Sequence, residues 1–179
     1  MKKALLVYLL SCTAGLFAQE KMVTKTGKVT IEASVPSFEE VKAKNEGVTF
    51  ILNSKTGEVA SLALMKGFRF KIALMEEHFN ENYVESDKYP KSTFKGKIEN
   101  FDVKTLTAVA KEFTIKGKLE LHGKSKDVIS TAKIKKTDAG IEIISNFSVN
   151  ASDFDIKIPN VVKNKVSNTI DIKSEFTVK

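Results

Sequence analysis

His78 and His122 are the two imidazoles in this chain of 179 residues, and Cys12 is its one thiol. A zinc-type site would need both rings plus carboxylates arriving from other segments. Nothing in the spacing brings such a set together. Glu76-Glu77-His78 could be drawn as a metal or acid–base cluster, but it reads more simply as a polar loop with one hydrogen-bonded His. His122 sits on the charged face of an alternating segment beside a Gly turn, where a solvent-facing ring is expected. The serines come without a Gly-x-Ser-x-Gly elbow, a phosphate-cradling Gly loop or a Rossmann fingerprint. No nucleophile has a visible base, so no catalytic residue, metal site or cofactor is assigned. Isomerisation or hydrolysis in an apolar interior lacks a named acid or base.

What the chain has in quantity is apolar side chains at regular spacing, including twelve Phe. In Phe113, Ile115, Gly117, Leu119 and Leu121 the odd positions are apolar or small, while Glu112, Thr114, Lys116, Lys118, Glu120 and His122 take the even ones. A period of two puts alternate side chains on opposite faces of a strand, one dry and one wet. The pattern recurs in Ile141, Ile143, Ser145, Phe147, Val149 and in Ile170, Ile172, Ser174, Phe176, Val178. Shorter versions lie at Val29–Ile31, Phe50–Leu52, Phe68-Phe70-Ile72, Phe94-Gly96-Ile98 and Val128–Ile134. Turn chemistry separates them at 54–57, 122–125 and 137–140, where Gly supplies a positive φ.

Eight or so strands joined mostly as hairpins predict an all-β, antiparallel, eight-stranded barrel, because an open sheet would expose two edges. A sandwich is the main rival. Two segments break the alternation. Residues 36–44, opened by Pro36 and Ser37, suggest a short helical turn. Residues 74–86 suggest an irregular turn or one short helix.

The opening Met1-Lys2-Lys3, the apolar run from Ala4 to Leu10 and the small residues through Ala18 read as a secretory signal. Cleavage is expected after Ala18, leaving 19–179 as one domain in the periplasm or outside the cell. Leu9-Leu10-Ser11-Cys12 is a weaker lipoprotein alternative, because Leu10 fits poorly and cleavage there leaves a very short apolar core. Loss of Lys2 and Lys3 takes the formal charge from +7 to +5. That excess is Lys, with Arg69 the single arginine, and it is scattered among acids. Nucleic-acid readers lean on bidentate Arg, so nucleic acid is not an expected partner. A weak attraction to anionic membrane surfaces stays open, as does the choice between monomer and homodimer.

The phrases Phe68-Arg69-Phe70, Met75–Pro90 with its Glu85-Ser86-Asp87-Lys88-Tyr89-Pro90 step, and Thr93–Ile98 resemble the YceI-like family. So do Phe113–Lys126 and Phe147–Ile158, the latter with Asp153-Phe154-Asp155-Ile156. The likeness runs from about residue 48 to the C terminus. It departs at the start, where Lys28–Pro36 lacks the family's Trp-containing strand and paired His-Ser step. The resemblance implies an exported lipocalin-like barrel, with a polyisoprenoid or isoprenoid-quinone-type chain in the lumen of several members. Strand phase then nominates lumen residues: Phe50, Phe68, Phe70, Ile72, Phe94, Ile98, Phe113, Ile115, Leu119, Ile143, Phe147, Phe154, Ile172 and Phe176. Two readings follow from the same side chains. A lumen holds an apolar lipid ligand for transport, storage or envelope stress protection, or the residues fill the barrel and leave a ligand-free interaction protein.

Overall fold

The computed structural model describes residues 20–179, so the segment 1–18 expected to be a secretory signal, with Cys12, lies outside the described residues. The strands are β1 (Lys21–Ser34), β2 (Lys42–Asn53), β3 (Glu58–Leu64), β4 (Arg69–Phe70), β5 (Lys91–Ile98), β6 (Lys111–Leu121), β7 (Lys124–Thr137), β8 (Gly140–Asn150) and β9 (Val166–Val178). All pair antiparallel in the order β1-β9-β8-β7-β6-β5-β3-β2-β4, and β1 also pairs with β2. That last pairing closes the sheet and removes its edges. The two-residue β4 lies along β2 beyond β3, pairing Ala43 with Phe70 and Lys44 with Arg69. β3 and β4 thus form one stave interrupted at 65–67, and the barrel has eight staves.

The alternation read from sequence is the register observed. Ile141 faces Val178, Ile143 faces Phe176 and Phe147 faces Ile172 across β8 and β9. Phe113 faces Ala132 and Ile115 faces Ser130 across β6 and β7. The β6–β7 hairpin closes on two residues, His122 at φ 51° and Gly123 at φ 72°. Both central residues of such a tight turn need positive φ, which matches the right-handed twist of the flanking strands. Only Gly was expected to carry it.

Two local expectations are corrected and a third is met. Residues 68–72 were expected to be a strand of their own, but only Arg69–Phe70 pair, and the stave is supplied by Glu58–Leu64. The alternation in Val59, Ser61 and Ala63 is blurred by small residues and escapes a hydrophobic pattern. Residues 36–44 form turns rather than a helical turn, with Ser37 at φ 72° and β2 already begun at Lys42. The short helix expected within 74–86 is present as α1 (Ala73–His78), followed by a π-helical turn, Phe79–Tyr83.

The interior divides along the barrel axis. At one end Leu52, Ile98, Ile134 and Val178 are fully buried, with Ile141 beside them and Leu106 from the 99–110 connection across the opening. Phe101 packs on Phe113 there with ring centroids 6.1 Å apart. Burying each such side chain contributes roughly 1.5–3 kcal/mol, and this packed half anchors the fold. The other end carries the irregular segments: 35–41, α1 with its π turn, and 151–165.

Candidate functional site

Inward positions between the packed end and the irregular end enclose a cavity of about 400 Å³, within the usual range for small-molecule sites. Its floor is the stacked pair Phe50 and Phe176, ring centroids 4.1 Å apart and 10° from parallel, with Ile143 beside them. Gly27 of β1 makes this possible. A Cβ at that position would run into the Phe176 ring, so the strand passes close behind the aromatic where any side chain would push it aside. The wall rises through Ile115, Leu119, Phe94, Phe147 and Ile172 to Phe38, Glu39, His78 and Lys165 at the mouth.

Helix α1 covers one side of the mouth. Phe79 packs against Phe68 at 5.8 Å and Phe70 at 5.1 Å between centroids. Glu76 fixes the helix to the stave below it, accepting from Arg69 Nη1 at 2.7 Å and from the Phe70 backbone N–H at 3.0 Å. The Glu76-Glu77-His78 run is therefore split between roles. Glu76 is a structural tie, and the His78 ring lines the mouth with no hydrogen bond among the described residues, which corrects the hydrogen-bonded His expected there. No group of three or more His, Cys, Asp or Glu side chains among the described residues is placed to hold a metal ion.

Of the lumen residues nominated by strand phase, Phe50, Phe68, Phe70, Phe94, Ile115, Leu119, Ile143, Phe147, Phe154, Ile172 and Phe176 line the cavity. Ile98 and Phe113 point inward but lie in the packed end, away from it. Ile72 is the half-buried residue that opens α1. Phase was blind to the residues that irregular backbone brings in, namely Phe38, Met75, Phe79, Tyr83, Ile156 and Val162. It was also not used for Val29, Ile31 and Ile170, which stand in phase and line the wall. The inward serines Ser130, Ser145 and Ser174 were passed over because hydrophobic counting ignores a hydroxyl.

His122 is the clearest departure from expectation. Its side chain is 9% exposed, not solvent-facing. Nδ1 lies 2.9 Å from the Phe154 carbonyl oxygen and Nε2 lies 2.7 Å from Glu85 Oε2. Tyr89 meets the ring edge-on at 4.4 Å, and Lys88 stands over the Tyr89 ring at 4.9 Å. The positive φ of the turn swings the imidazole off the strand face and under the 84–90 loop. Beside it, Asp155 accepts from Lys124 at 2.8 Å. The Lys124 hydrogen bond and charge hold the Asp155 carboxyl below its usual range, and Asp155 in turn raises Lys124.

The family model of the YceI-like domain matches residues 16–178. This chain belongs to the YceI-like family. Solved YceI-like structures share the barrel at low identity. A polyisoprenoid binding domain from Saccharophagus degradans, implicated in plant cell wall breakdown, has a TM-score of 0.72 at 14% identity, covering 89% of this chain and 98% of that one. Burkholderia cenocepacia BcnA gives 0.68 at 15% identity, covering 83% and 94%. The Campylobacter jejuni YCEI protein gives 0.60 at 17%, covering 81% and 89%. No curated protein sequence matches the chain. At these identities the structures establish the fold, and the eight-stranded closed barrel is common ground. The Glu-Ser-x-Lys-Tyr-Pro phrase that suggested the YceI-like family has a physical role here, since its Glu85, Lys88 and Tyr89 assemble around His122.

Proposed function

We propose that this YceI-like barrel is an exported binding protein that holds a long apolar isoprenoid lipid, a polyisoprenoid or an isoprenoid quinone, in its lumen for transport, storage or envelope stress protection. The observation that carries this reading is the apolar cavity of about 400 Å³, bounded by a fixed aromatic floor and open at one end. A preformed cavity of this kind gains about 0.8 kcal/mol for each methylene withdrawn from water, less the cost of ordering the chain. The polyisoprenoid binding described for the Saccharophagus degradans domain is consistent with that class of ligand. The role is binding without turnover, and it calls for no metal or cofactor beyond the lipid.

The ligand-free reading draws on one observation, the packed half around Leu52, Ile98, Ile134 and Val178. It accounts for that half and leaves the apolar mouth half unexplained. The mouth also suits loading from a membrane. Phe38, Leu74 and Val161 are exposed around it, with Lys163 and Lys165 nearby, a mixture that favours contact with an anionic lipid surface.

Organic extraction of protein purified from its native host, followed by mass spectrometry, tests the reading. A stoichiometric isoprenoid is expected, and protein that yields only membrane phospholipid in trace amounts contradicts it. Sequencing of the same preparation is expected to find Gln19 at the N terminus.

A further inference from the structure

Three serines on adjacent strands face the lower part of a mainly apolar cavity: Ser130 of β7, Ser145 of β8 and Ser174 of β9. They are 6%, 7% and 7% exposed. No hydrogen bond within the described residues engages their side-chain hydroxyls, and each residue lines cavity space. Ser145 and Ser174 stand directly opposite on neighbouring strands, a separation at which one oxygen can meet both hydroxyls. Ala132 is level with Ser145, so Ser130 lies one strand across and one inward step nearer the mouth. The three adjacent strands thus present a patch of hydroxyls one to two layers above the Phe50–Phe176 floor.

These hydroxyls open onto the cavity and have no protein partner there, so only what fills the cavity can bond them, whereas alanine or valine would line an apolar cavity with no polar group to satisfy. The arrangement makes physical sense if a polar group of the ligand reaches them. The charged side chains that line the cavity, Glu32, Glu39 and Lys165, belong to its mouth end. No cation meets the serines to compensate an anionic head, whose desolvation would be costly there. Hydroxyls can donate to or accept from a neutral oxygen.

We propose that Ser130, Ser145 and Ser174 form the seat for a neutral, oxygen-bearing head group, so that the isoprenoid enters head first and its tail runs toward the mouth. This rests on the reading that the lumen holds an isoprenoid lipid and adds the orientation of that lipid and the chemistry of its head. It selects quinones and free prenols over prenyl phosphates.

The test uses three probes of equal tail length: a ubiquinone with three isoprene units, farnesyl phosphate and the hydrocarbon farnesene. Affinities are read by displacement of a solvatochromic apolar probe from the intact protein. The quinone is expected to bind about tenfold tighter than farnesene, a difference of the size that one or two hydrogen bonds supply, and farnesyl phosphate more weakly than the quinone. Ser145→Ala with Ser174→Ala should remove most of the quinone advantage while leaving farnesene binding within about twofold. Ser145→Thr, which keeps a hydroxyl, should retain it. The quinone carbonyl band in the infrared should move to lower wavenumber in the unaltered protein and return toward its free position in the double variant. An unchanged quinone-to-farnesene ratio in the double variant, or tighter binding of the phosphate, overturns the head-first seat and leaves lipid holding intact. Binding of none of the three by the unaltered protein overturns both.

Discussion

His122 Nε2 and Glu85 Oε2 are 2.7 Å apart, although 37 residues separate them in sequence, and the contact ties the β6–β7 turn to the loop that follows α1. With Nδ1 on the Phe154 carbonyl oxygen, the same ring joins a third segment, 151–155. Three connections at the mouth end are thereby held on one side chain. Phe154 is fully buried and lines the cavity, so the latch also fixes one wall of the site.

Removing the ring should loosen the latch. His122→Ala is expected to lower unfolding stability by about 2 kcal/mol, from lost hydrogen bonds to the buried Phe154 carbonyl and the part-exposed Glu85 carboxylate and from Ala in a left-handed position. His122→Asn tolerates the positive φ better and should cost less, although it cannot reach both partners. Urea midpoints of the two variants separate the backbone contribution from the hydrogen bonds. Equal stability for all three proteins would deny the latch.

The two halves of the interior should respond differently to truncation. Ile134→Ala, in the packed half, is expected to cost about 3–4 kcal/mol through cavity formation with lipid affinity little changed in the protein that remains folded. Phe147→Ala, on the half-buried cavity wall, should cost less stability and weaken lipid binding instead. Paired denaturation and binding curves check this. A large affinity loss for Ile134→Ala with none for Phe147→Ala would contradict the division.

How far this was legible in sequence follows from what a period of two encodes. Alternation says which side of a strand a residue faces, and it placed Phe50, Ile143, Phe147 and Phe176 inside. It carries no information on height along the barrel, which is why Ile98 and Phe113 share the phase of the cavity wall and yet lie in the packed end. Height depends on which residues turn the corners, and those corners were read only in part. Val59, Ser61 and Ala63 form an inward face too small to register as hydrophobic. Phe38 and Phe79 reach the cavity from non-strand backbone, where no period applies. His122 shows a third limit, since one positive φ carried it from the expected wet face to a buried latch.

The ion pair beside the latch gives a pH dependence. Asp155 is held below its usual range by Lys124, so its folded value lies under the unfolded value of about 3.9. Its contribution is present above roughly pH 4 and fades as pH falls through the lower folded value. Lys124 is raised, so its share persists until pH climbs past about 10.4. Lys124→Met is therefore expected to move the acid-unfolding midpoint slightly upward, with little effect near neutrality because the pair is solvent-exposed. Circular dichroism against pH measures it, and a midpoint shifted downward would contradict the sign.

Loading from membranes should depend on the mouth. Lys163→Ala and Lys165→Ala are each expected to weaken binding to vesicles containing phosphatidylglycerol by about fivefold at low salt, and the difference should shrink as salt is added. Val161→Asp should slow uptake of a quinone from such vesicles without changing its affinity in detergent solution. Co-sedimentation and uptake rates provide the readouts. Uptake that ignores all three substitutions would place the loading surface elsewhere.

In the proposed function the mouth half of this barrel is a lipid site and the other half a packed support. The most direct measurement is a crystal structure of protein from the native host. Continuous density is expected for a branched chain rising from the Phe50–Phe176 floor past Ile172 and Phe147 to the mouth, with none between Leu52, Ile98, Ile134 and Val178. Side chains collapsed together across the mouth half, leaving no room for a chain, would contradict it.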